Sequence, residues 1–391
     1  MSRTTSTFFP PIMEAQSWMH GLTFPDNRPL INVSQAAPVD PPPEPLRQAI
    51  ADAAMNDAGA HLYGPVLGLP ALREQIAEDW TRAYGGALGM EQVAITSGCN
   101  QAFCATLAML TDEGDEIIMP TPWYFSYKMW TDMSGLNVVP LPAREGLLPD
   151  PEEARSLITD KTRAILLVTP NNPSGVEYPA ELVHEFHEVA KSHGLTLIVD
   201  ETYRDFDSRP TRPHDLFSDP DWEDSFIQIY SFSKAYRLTG HRVGAIIAGK
   251  QRILEIEKFL DTVTICPNQL GQRAALWGMR NLGDWLAGER LEILDRRAAI
   301  TDHMPEITPQ GWVLKGVGAY FAYLEHPYQM SSADLAKILV RDASVLLLPG
   351  TMFVPENDPS GPPHVRVAFA NVDRAGIAAL YQRLKAFEIH A

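Results

Sequence analysis

The chain has 391 residues, of which 45% are hydrophobic and 21% are charged, and its formal net charge at pH 7 is −17. This length exceeds what one small core requires and predicts two or three domains in a globular protein. The negative charge disfavours nucleic acids and anionic membranes as partners, because both would repel the protein.

The first 43 residues are rich in proline and lack sustained periodicity, so they are predicted to form an arm that lies on the rest of the chain. Regular structure is predicted from Glu44 onwards, beginning with a helix. A second helix is predicted over Pro70–Tyr84, with proline at its start and Gly85 after its end. Residues 61–68 between the helices predict a loop.

From residue 93 onwards, short apolar runs alternate with helical patterns. The predicted strands are 93–96, 117–119, 138–141, 164–168, 195–199, 226–230 and 245–248, and the clearest helices are 100–110 and 180–193. Nearly continuous apolar strands separated by helices are typical of an α/β fold with a mostly parallel sheet, here seven-stranded, covered on both faces. In such sheets, ligands bind beyond the carboxyl ends of the strands.

The C-terminal part of the chain has a different pattern. Two long helices, 250–261 and 282–304, lead away from the predicted sheet. The remaining strands (319–324, 345–348, 365–368) and helices (333–340, 372–387) predict a smaller α+β domain. The predicted division is an N-terminal arm with part of the small domain (1–45), a large domain (46–285) and a C-terminal small domain (286–391).

Polar residues follow several of these strands directly. Gly98, Cys99 and Asn100 open the helix after the first strand, where backbone N–H groups can bind an anion, although small residues at this position are commonly just caps. Asn172 lies in the segment TPNNPSG, which is also compatible with a plain turn. Asp200 and Tyr203 follow the strand 195–199, and the ordinary alternative for Asp200 is a helix cap.

The segment FIQIYSFSKAYRLTGHRVG contains the most specific signal. Lys234 follows a buried strand, where loss of hydration lowers the pKa of an amine and makes its neutral form available. Ser231, Ser233 and Arg242 would suit a phosphate dianion. Taken alone, a lysine at this position is more simply interpreted as an ordinary solvated lysine in a polar loop.

Seven segments carry a family resemblance when they are taken together. They are YGPVLGLPALR, TSGCNQAF, TPNNPSG, DETY, SFSKAYRLTGHRVG, LLPGTMF and HVRVAFA, spread from about residue 60 to residue 370. In this order the chain resembles the class I/II pyridoxal-phosphate-dependent aminotransferases of fold type I. The resemblance implies transfer of an amino group between an L-amino acid and a 2-oxo acid by a ping-pong mechanism through aldimine and ketimine intermediates.

The resemblance also implies roles for individual residues. Lys234 would bind pyridoxal 5′-phosphate as an internal aldimine and then move a proton between Cα and the cofactor C4′. Asp200 would keep the pyridine nitrogen protonated, and Asn172 and Tyr203 would hydrogen-bond the phenolate oxygen. The phosphate would be held by Ser231, Ser233, Arg242 and the segment of Gly98, Cys99 and Asn100. Tyr124 matches the ring-stacking aromatic residue, with Trp123 as a weaker candidate.

Two further residues concern the substrate and the partner. Arg366 in HVRVAFA matches the arginine that pairs with the substrate α-carboxylate, a bidentate task for which lysine is poorly suited. Tyr63 would reach the phosphate of the cofactor in a partner subunit, which implies a homodimer with shared active sites.

The chain departs from the family pattern in places that bear on the substrate. Ala36 occupies a position that is usually glycine near the α-carboxylate, and the extra methyl group is expected to affect substrate fit. Asn100 replaces a lysine of one aspartate-using subgroup, and residues 261–267 lack the arginine of another. These absences favour a neutral or aromatic donor. Trp18, Tyr124 and Tyr320 are candidate wall residues.

Other functions remain open from the residues. A pyridoxal-phosphate-dependent lyase, decarboxylase or racemase would use the same fold, because fold does not determine reaction. A transcription regulator would need a DNA-binding domain, for which the 45 proline-rich residues ahead of the large domain are unsuited, and a cofactor-free scaffold is disfavoured by the complete set of expected residues.

The cysteine content and the termini bear on location. Three cysteines match neither a disulfide framework nor a zinc pattern, so no metal site is predicted and a reducing compartment is favoured. The N-terminus is a poor signal peptide, and apolar runs are too short to span a bilayer. The cytoplasm is the predicted location.

Overall fold

The structure is a computed structural model that describes residues 2–388. Its helices over this range are α1 (Pro11–Ser17), α2 (Glu44–Asn56), α3 (Pro70–Tyr84), α4 (Cys99–Leu110), α5 (Phe125–Ser134), α6 (Pro151–Ser156), α7 (Ala180–Ser192), α8 (Trp222–Ser225), α9 (Phe232–Ala235), α10 (Lys250–Thr264), α11 (Gln269–Asn281), α12 (Gly283–His303), α13 (Ser332–Ile338) and α14 (Arg374–Ala386). Its strands are β1 (Ile31–Asn32), β2 (Val93–Thr96), β3 (Glu116–Thr121), β4 (Asn137–Pro142), β5 (Thr162–Val168), β6 (Thr196–Asp200), β7 (Phe226–Ser231), β8 (Gly244–Ile247), β9 (Val313–Gly318), β10 (Phe321–Glu325), β11 (Val345–Leu346), β12 (Leu348–Pro349) and β13 (His364–Ala368).

Within residues 2–388, seven strands form one sheet in the order β2-β8-β7-β6-β5-β3-β4. All neighbouring strands are parallel except β8, which is antiparallel to both β2 and β7. The chain between β7 and β8 contains no crossover helix long enough to return to the opposite edge, so it stays at the carboxyl end of β7. The predicted mostly parallel, seven-stranded sheet is confirmed.

Helices cover both faces of this sheet. Along β6, Leu197 and Val199 join a core with residues of α3 and α7, whereas Ile198 joins a second core with residues of α4 and α10. This alternation follows the two-residue period of a strand. Because both faces are buried, the sequence of each central strand is almost continuously apolar, and this continuity made the strands recognisable.

The smaller α+β unit contains the antiparallel sheet β12-β13-β10-β9, which packs against α12, α13 and α14. The predicted single strand 345–348 is wrong. The segment forms two strands in different sheets, since β11 pairs with β1 and β12 pairs with β13. All its residues are buried, so its sequence carries no alternation that would reveal the change of partner.

The start of regular structure at Glu44 is also wrong, because α1 and β1 precede it. The helix α1 has seven residues, too few to be stable alone, and its buried Ala15 packs with Phe125, Leu348 and Phe353. Tertiary contacts therefore create this element, and it lies on the body of the protein as an arm was expected to.

The described helices, within residues 2–388, include none with the length and apolar character that a membrane span requires.

Candidate active site

A cavity of about 420 Å³ lies at the carboxyl edge of the large sheet. Its floor comes from segments that follow β2, β5, β6 and β7, and its mouth, the more exposed side, is bordered by Pro10, Ile12 and residues 35–37 of the N-terminal region. Twelve residues predicted for the site line it: Ala36, Cys99, Asn100, Tyr124, Asn172, Asp200, Tyr203, Ser231, Ser233, Lys234, Arg242 and Arg366. Most of them follow strands of the large sheet, whose parallel pairing brings the strand ends to one edge. Ala36 comes from the N-terminal region and Arg366 from β13 of the smaller unit.

Asp200 ends β6 and is 4% exposed. Its Oδ1 accepts hydrogen bonds from the Thr202 amide (2.9 Å) and hydroxyl (2.7 Å), and its Oδ2 accepts one from Tyr127 Oη (2.6 Å). The thiol of Cys99 lies 3.5 Å from Oδ1. Burial raises the pKa of Asp200 in spite of these hydrogen bonds, because all the donors are neutral.

Lys234 lies in α9, directly beyond the end of β7. Its Nζ donates a hydrogen bond to the carbonyl of Ala36 and lies 6.0 Å from the centre of the Tyr203 ring. Burial, together with the positive charges of Arg242 and Arg366, lowers the pKa of Lys234 to about 8. The amine is therefore partly neutral near physiological pH, as expected for a lysine at the end of a buried strand.

Arg366 on β13 is 2% exposed, and its guanidinium group is held by neutral groups. Nη1 donates to Asn172 Oδ1 at 2.9 Å, and Nη2 donates to the carbonyl of Ser34. The buried Nε has no hydrogen-bond partner among the described residues. Burial lowers the pKa of Arg366 to about 10. A buried cation held by neutral acceptors retains capacity for an anion.

A narrow cradle joins the start of α4 to Arg242. Gly98 has φ +85°, and a Cβ atom there would lie 2.1 Å from Arg242 Nη2. A Cβ at Gly244 would lie 2.6 Å from the carbonyl carbon of Gly98. Arg242 Nη1 donates to Ser233 Oγ (3.1 Å) and to the Thr239 carbonyl (3.0 Å). The glycines allow the arginine to approach the helix N-terminus closely, which concentrates donors for an anion.

Some predicted residues lie elsewhere. Tyr63 is 82% exposed and does not line the cavity. The predicted wall residues Trp18 and Tyr320 also lie outside the lining: Tyr320 packs against Tyr203 and Phe206, and Trp18 packs against hydrophobic residues of the small unit. Trp123 is buried and does not line the cavity. An aromatic residue type carries no information about the direction of its side chain, so the prediction that Trp18 and Tyr320 form the wall of the cavity is wrong, whereas the partner-directed role of Tyr63 stays a prediction.

Sequence reasoning missed Tyr127, Thr202, Met129, Ile12 and Thr239, all of which line the cavity. Tyr127 lies one turn beyond Tyr124, the N-cap residue of α5, and this helix was not predicted. The aromatic spacing in TPWYFSY could have indicated a helical face directed at the site.

Comparisons with known proteins agree with this geometry. The model of the family described as aminotransferase class I and II matches residues 28–384. An aspartate aminotransferase of Pyrococcus horikoshii is 29% identical over 88% of each chain, and an aromatic aminotransferase of Arabidopsis thaliana is 28% identical over 98% of this chain and 94% of its own. The solved structure of an aspartate aminotransferase of Thermus thermophilus superposes with a TM-score of 0.86 at 25% identity, over 98% of each chain.

The predicted family, fold type, cofactor and reaction class are confirmed by these matches, which extend over both the large sheet and the smaller unit. The chain belongs to the class I and II aminotransferases, the pyridoxal-phosphate-dependent enzymes of fold type I that transfer an amino group between amino acids and 2-oxo acids.

Proposed function

We propose that the cavity binds pyridoxal phosphate through the predicted residues and transaminates amino acids whose side chain is neutral, with apolar and aromatic donors preferred. When bound, the cofactor supplies an electron sink that makes the substrate α-proton acidic. The observation that carries the proposal is Arg366, a buried cation whose contacts are neutral acceptors.

Asp200 fits a cationic ring nitrogen. Burial raises the pKa of this carboxylate, and its hydrogen bonds come from neutral donors. A positive charge placed beside it would stabilise the ionised form that burial disfavours. Asp200 would in turn keep the ring nitrogen protonated, and Tyr127 and Thr202 would hold the carboxylate in place.

Lys234 would act as the proton carrier. A pKa near 8 gives the amine a neutral fraction that can accept a proton and an ammonium form that can return it. Asn172 and Tyr203 lie beside the lysine and Arg366, where they would hydrogen-bond the phenolic oxygen of the cofactor. Tyr124 would cover the face of the ring.

The cradle around Gly98 would hold the cofactor phosphate. Cys99 and Asn100 provide backbone N–H groups at the start of α4, a helix of 12 residues, and Arg242 and Ser233 provide side-chain donors. The hydroxyl of Ser231 accepts a hydrogen bond from the Ser233 amide (3.2 Å) and could still donate its proton to the phosphate.

The lining of the cavity supports the donor class. Among the described residues that line it, the cations are Lys234, Arg242 and Arg366, and each is assigned above to the cofactor or to the α-carboxylate. Ile12, Phe125 and Met129 add apolar surface near the mouth. The acidic side chain of an amino donor would lose hydration there without a cation of this chain to pair with it. The site should therefore bind such donors less well than neutral ones.

We further propose a homodimer with shared sites. Leu62, Tyr63, Val263 and Ile265 are all at least 46% exposed. The segment of Leu62 and Tyr63 is adjacent to the C-terminal end of α10, since the Gly64 amide donates to Cys266 Sγ at 3.4 Å. This exposed apolar surface suits a second copy of the chain, whose cofactor phosphate Tyr63 would reach.

The cytoplasm remains the proposed location. Cys99, Cys104 and Cys266 are all free thiols, which suits a reducing compartment.

A panel of amino donors assayed with 2-oxoglutarate tests the proposal. Transamination requires that glutamate and the pyridoxamine form of the cofactor appear, whereas a lyase, decarboxylase or racemase would leave 2-oxoglutarate unconsumed. We expect phenylalanine, tyrosine or methionine to exceed aspartate in kcat/KM, and a clear preference for aspartate would refute the donor class. Arg366→Lys should weaken binding of every amino acid by about tenfold or more, since a bidentate contact is lost.

A further inference from the structure

Residues 34–37, here called the strap, cross the mouth of the cavity between β1 and α2. Gln35, Ala36 and Ala37 line the cavity. The carbonyl groups of the strap alternate in direction. Those of Ser34 and Ala36 face inward and accept hydrogen bonds from Arg366 Nη2 and Lys234 Nζ, whereas that of Gln35 faces the small unit. One short segment therefore contacts both the substrate-binding cation and the reactive amine.

The outward-facing carbonyl of Gln35 accepts a hydrogen bond from the side chain of Asn371. Its Nδ2 donates to the carbonyl of Gln35 and, at 3.3 Å, to that of Asn32. Its Oδ1 accepts a hydrogen bond from the amide of Ala37, also at 3.3 Å. One carboxamide thus bridges Asn32, which lies two positions before the strap, and Gln35 and Ala37 within it.

The strap has few other hydrogen bonds, and two of them run from the amide (3.1 Å) and the hydroxyl (2.7 Å) of Ser34 to Asn32 Oδ1. Its start is anchored, because Val33 donates to the carbonyl of Leu346 (2.8 Å) and accepts from the amide of Ala368 (2.8 Å). Within the strap, among residues 2–388, one backbone–backbone hydrogen bond runs from the Ala37 amide to the Gln35 carbonyl (3.0 Å). Within the strap, Asn371 therefore binds the Gln35 carbonyl, whereas the carbonyls of Ser34 and Ala36 are bound by Arg366 and Lys234.

We propose that Asn371 is a positioning residue for amino-acid binding. By holding the Gln35 carbonyl outward, it keeps the Ser34 carbonyl directed at Arg366 and the Ala36 carbonyl directed at Lys234. The guanidinium plane of Arg366 is then fixed on two sides, by Ser34 and by Asn172, before a carboxylate arrives. This inference rests on the proposed roles of Arg366 and Lys234.

The test uses the cofactor-loaded enzyme and two variants. Asn371→Ala removes all three hydrogen bonds. Asn371→Asp keeps the size of the side chain and the acceptor for the Ala37 amide, but it turns an oxygen towards the carbonyls of Gln35 and Asn32. If Asn371 only fills space, Asn371→Asp should bind substrate like the wild type. If its amide holds the carbonyl groups, Asn371→Asp should bind substrate more weakly.

The matched control is Asn137→Ala. Asn137 is an exposed asparagine at the start of β4, away from the carboxyl edge, and its Nδ2 donates to the Gly114 carbonyl at 3.1 Å. Asn137→Ala therefore removes a hydrogen bond from a side-chain amide to a backbone carbonyl, as Asn371→Ala does, but leaves the strap unchanged.

The readout is the dissociation constant of 3-phenylpropionate, a carboxylate without an amino group, followed by cofactor absorbance, together with kcat and KM for the best donor. We expect both Asn371 variants to raise the dissociation constant and KM by about tenfold while kcat falls by less than about threefold. The control should match the wild type. Asn371→Ser serves the same measurement if either variant does not fold.

Wild-type affinity in the Asn371 variants would overturn the inference, as would tolerance of Asn371→Asp alone. Arg366→Lys, measured in the same titration, distinguishes a failure of the role of Asn371 from a failure of the proposed carboxylate site. If Arg366→Lys weakens binding and the Asn371 variants do not, only the role of Asn371 fails. If Arg366→Lys also leaves affinity unchanged, the proposed carboxylate site fails and the role of Asn371 fails with it.

Discussion

Asp200 and Glu201 are neighbours in the chain and both are buried, at 4% and 1% exposure, yet their surroundings differ. Asp200 faces the cavity, and burial raises its pKa although Tyr127 and Thr202 donate to it. Glu201 faces the core of the large sheet. There, burial also acts to raise the pKa, but the attraction of His214 and Arg204 and the hydrogen bond from Tyr84 outweigh it and lower the pKa.

The difference lies in the charge available to each carboxylate. Glu201 Oε2 lies 2.7 Å from Tyr84 Oη and 3.3 Å from His214 Nε2, and it also accepts from Gln228. Asp200 receives hydrogen bonds from neutral groups and has a cavity in front of it. A buried acid surrounded by its own partners stabilises the fold, whereas a buried acid that faces a cavity and receives hydrogen bonds from neutral groups is suited to bind a cation.

The largest effect that separates the two acids is expected for Asp200→Asn. The amide keeps the shape of the side chain but removes the negative charge that is proposed to pair with the cofactor ring nitrogen, so kcat/KM for the best donor should fall by about a thousandfold or more. Urea unfolding of the cofactor-free protein should change little, because the lost charge was already disfavoured by burial. Turnover close to wild type would contradict the role assigned to Asp200.

Glu201→Gln should show the reverse behaviour. Removing this charge leaves His214 and Arg204 without their buried partner, which should lower the free energy of unfolding by about 3 kcal/mol. Activity per folded molecule should stay near that of the wild type. Glu188→Gln, at an exposed position of α7, is the control for removing a glutamate charge. Equal stability of the two variants would show that the network around Glu201 contributes nothing.

The pH dependence of the free energy of unfolding tests the charge of Lys234, which lines the cavity. Lys234 has a pKa of about 8 in the folded protein, below its ordinary value of 10.5. Between these values the unfolded chain binds more protons, so the free energy of unfolding of the cofactor-free protein should rise with pH across this window. The rise should be on the order of 1 kcal/mol, since partial solvation weakens the burial penalty. Lys234→Met should abolish that contribution, and parallel pH profiles for both proteins would disprove it.

The smallest effects are expected from a pair of tyrosine hydroxyls. Tyr127→Phe removes the 2.6 Å hydrogen bond to Asp200 and should lower kcat/KM by about fivefold, since the pKa of Asp200 rises further. Tyr84→Phe removes the 2.7 Å hydrogen bond to Glu201 and should instead lower the free energy of unfolding by about 1 kcal/mol. Both variants are measured by steady-state kinetics and urea unfolding. A loss of stability in Tyr127→Phe together with a loss of activity in Tyr84→Phe would contradict these roles.

The sequence alone predicted the central strands, their order of appearance and the polar residues that follow them. These signals are local: a strand buried on both faces is a continuous apolar run, and Lys234, Asp200 and Asn172 each come within a few residues of such a run. The edge of the sheet at which they meet then follows from parallel pairing.

Only the tertiary structure decided which groups hold these residues. Tyr127 lies 73 positions from Asp200 and Asn371 lies 336 positions from Gln35, and no periodicity links residues at such distances. The antiparallel β8, the split between β11 and β12 and the short helix α1 likewise depend on long-range packing. Propensity acts over a few residues, whereas the direction of a side chain or a carbonyl is determined by whatever the fold brings beside it.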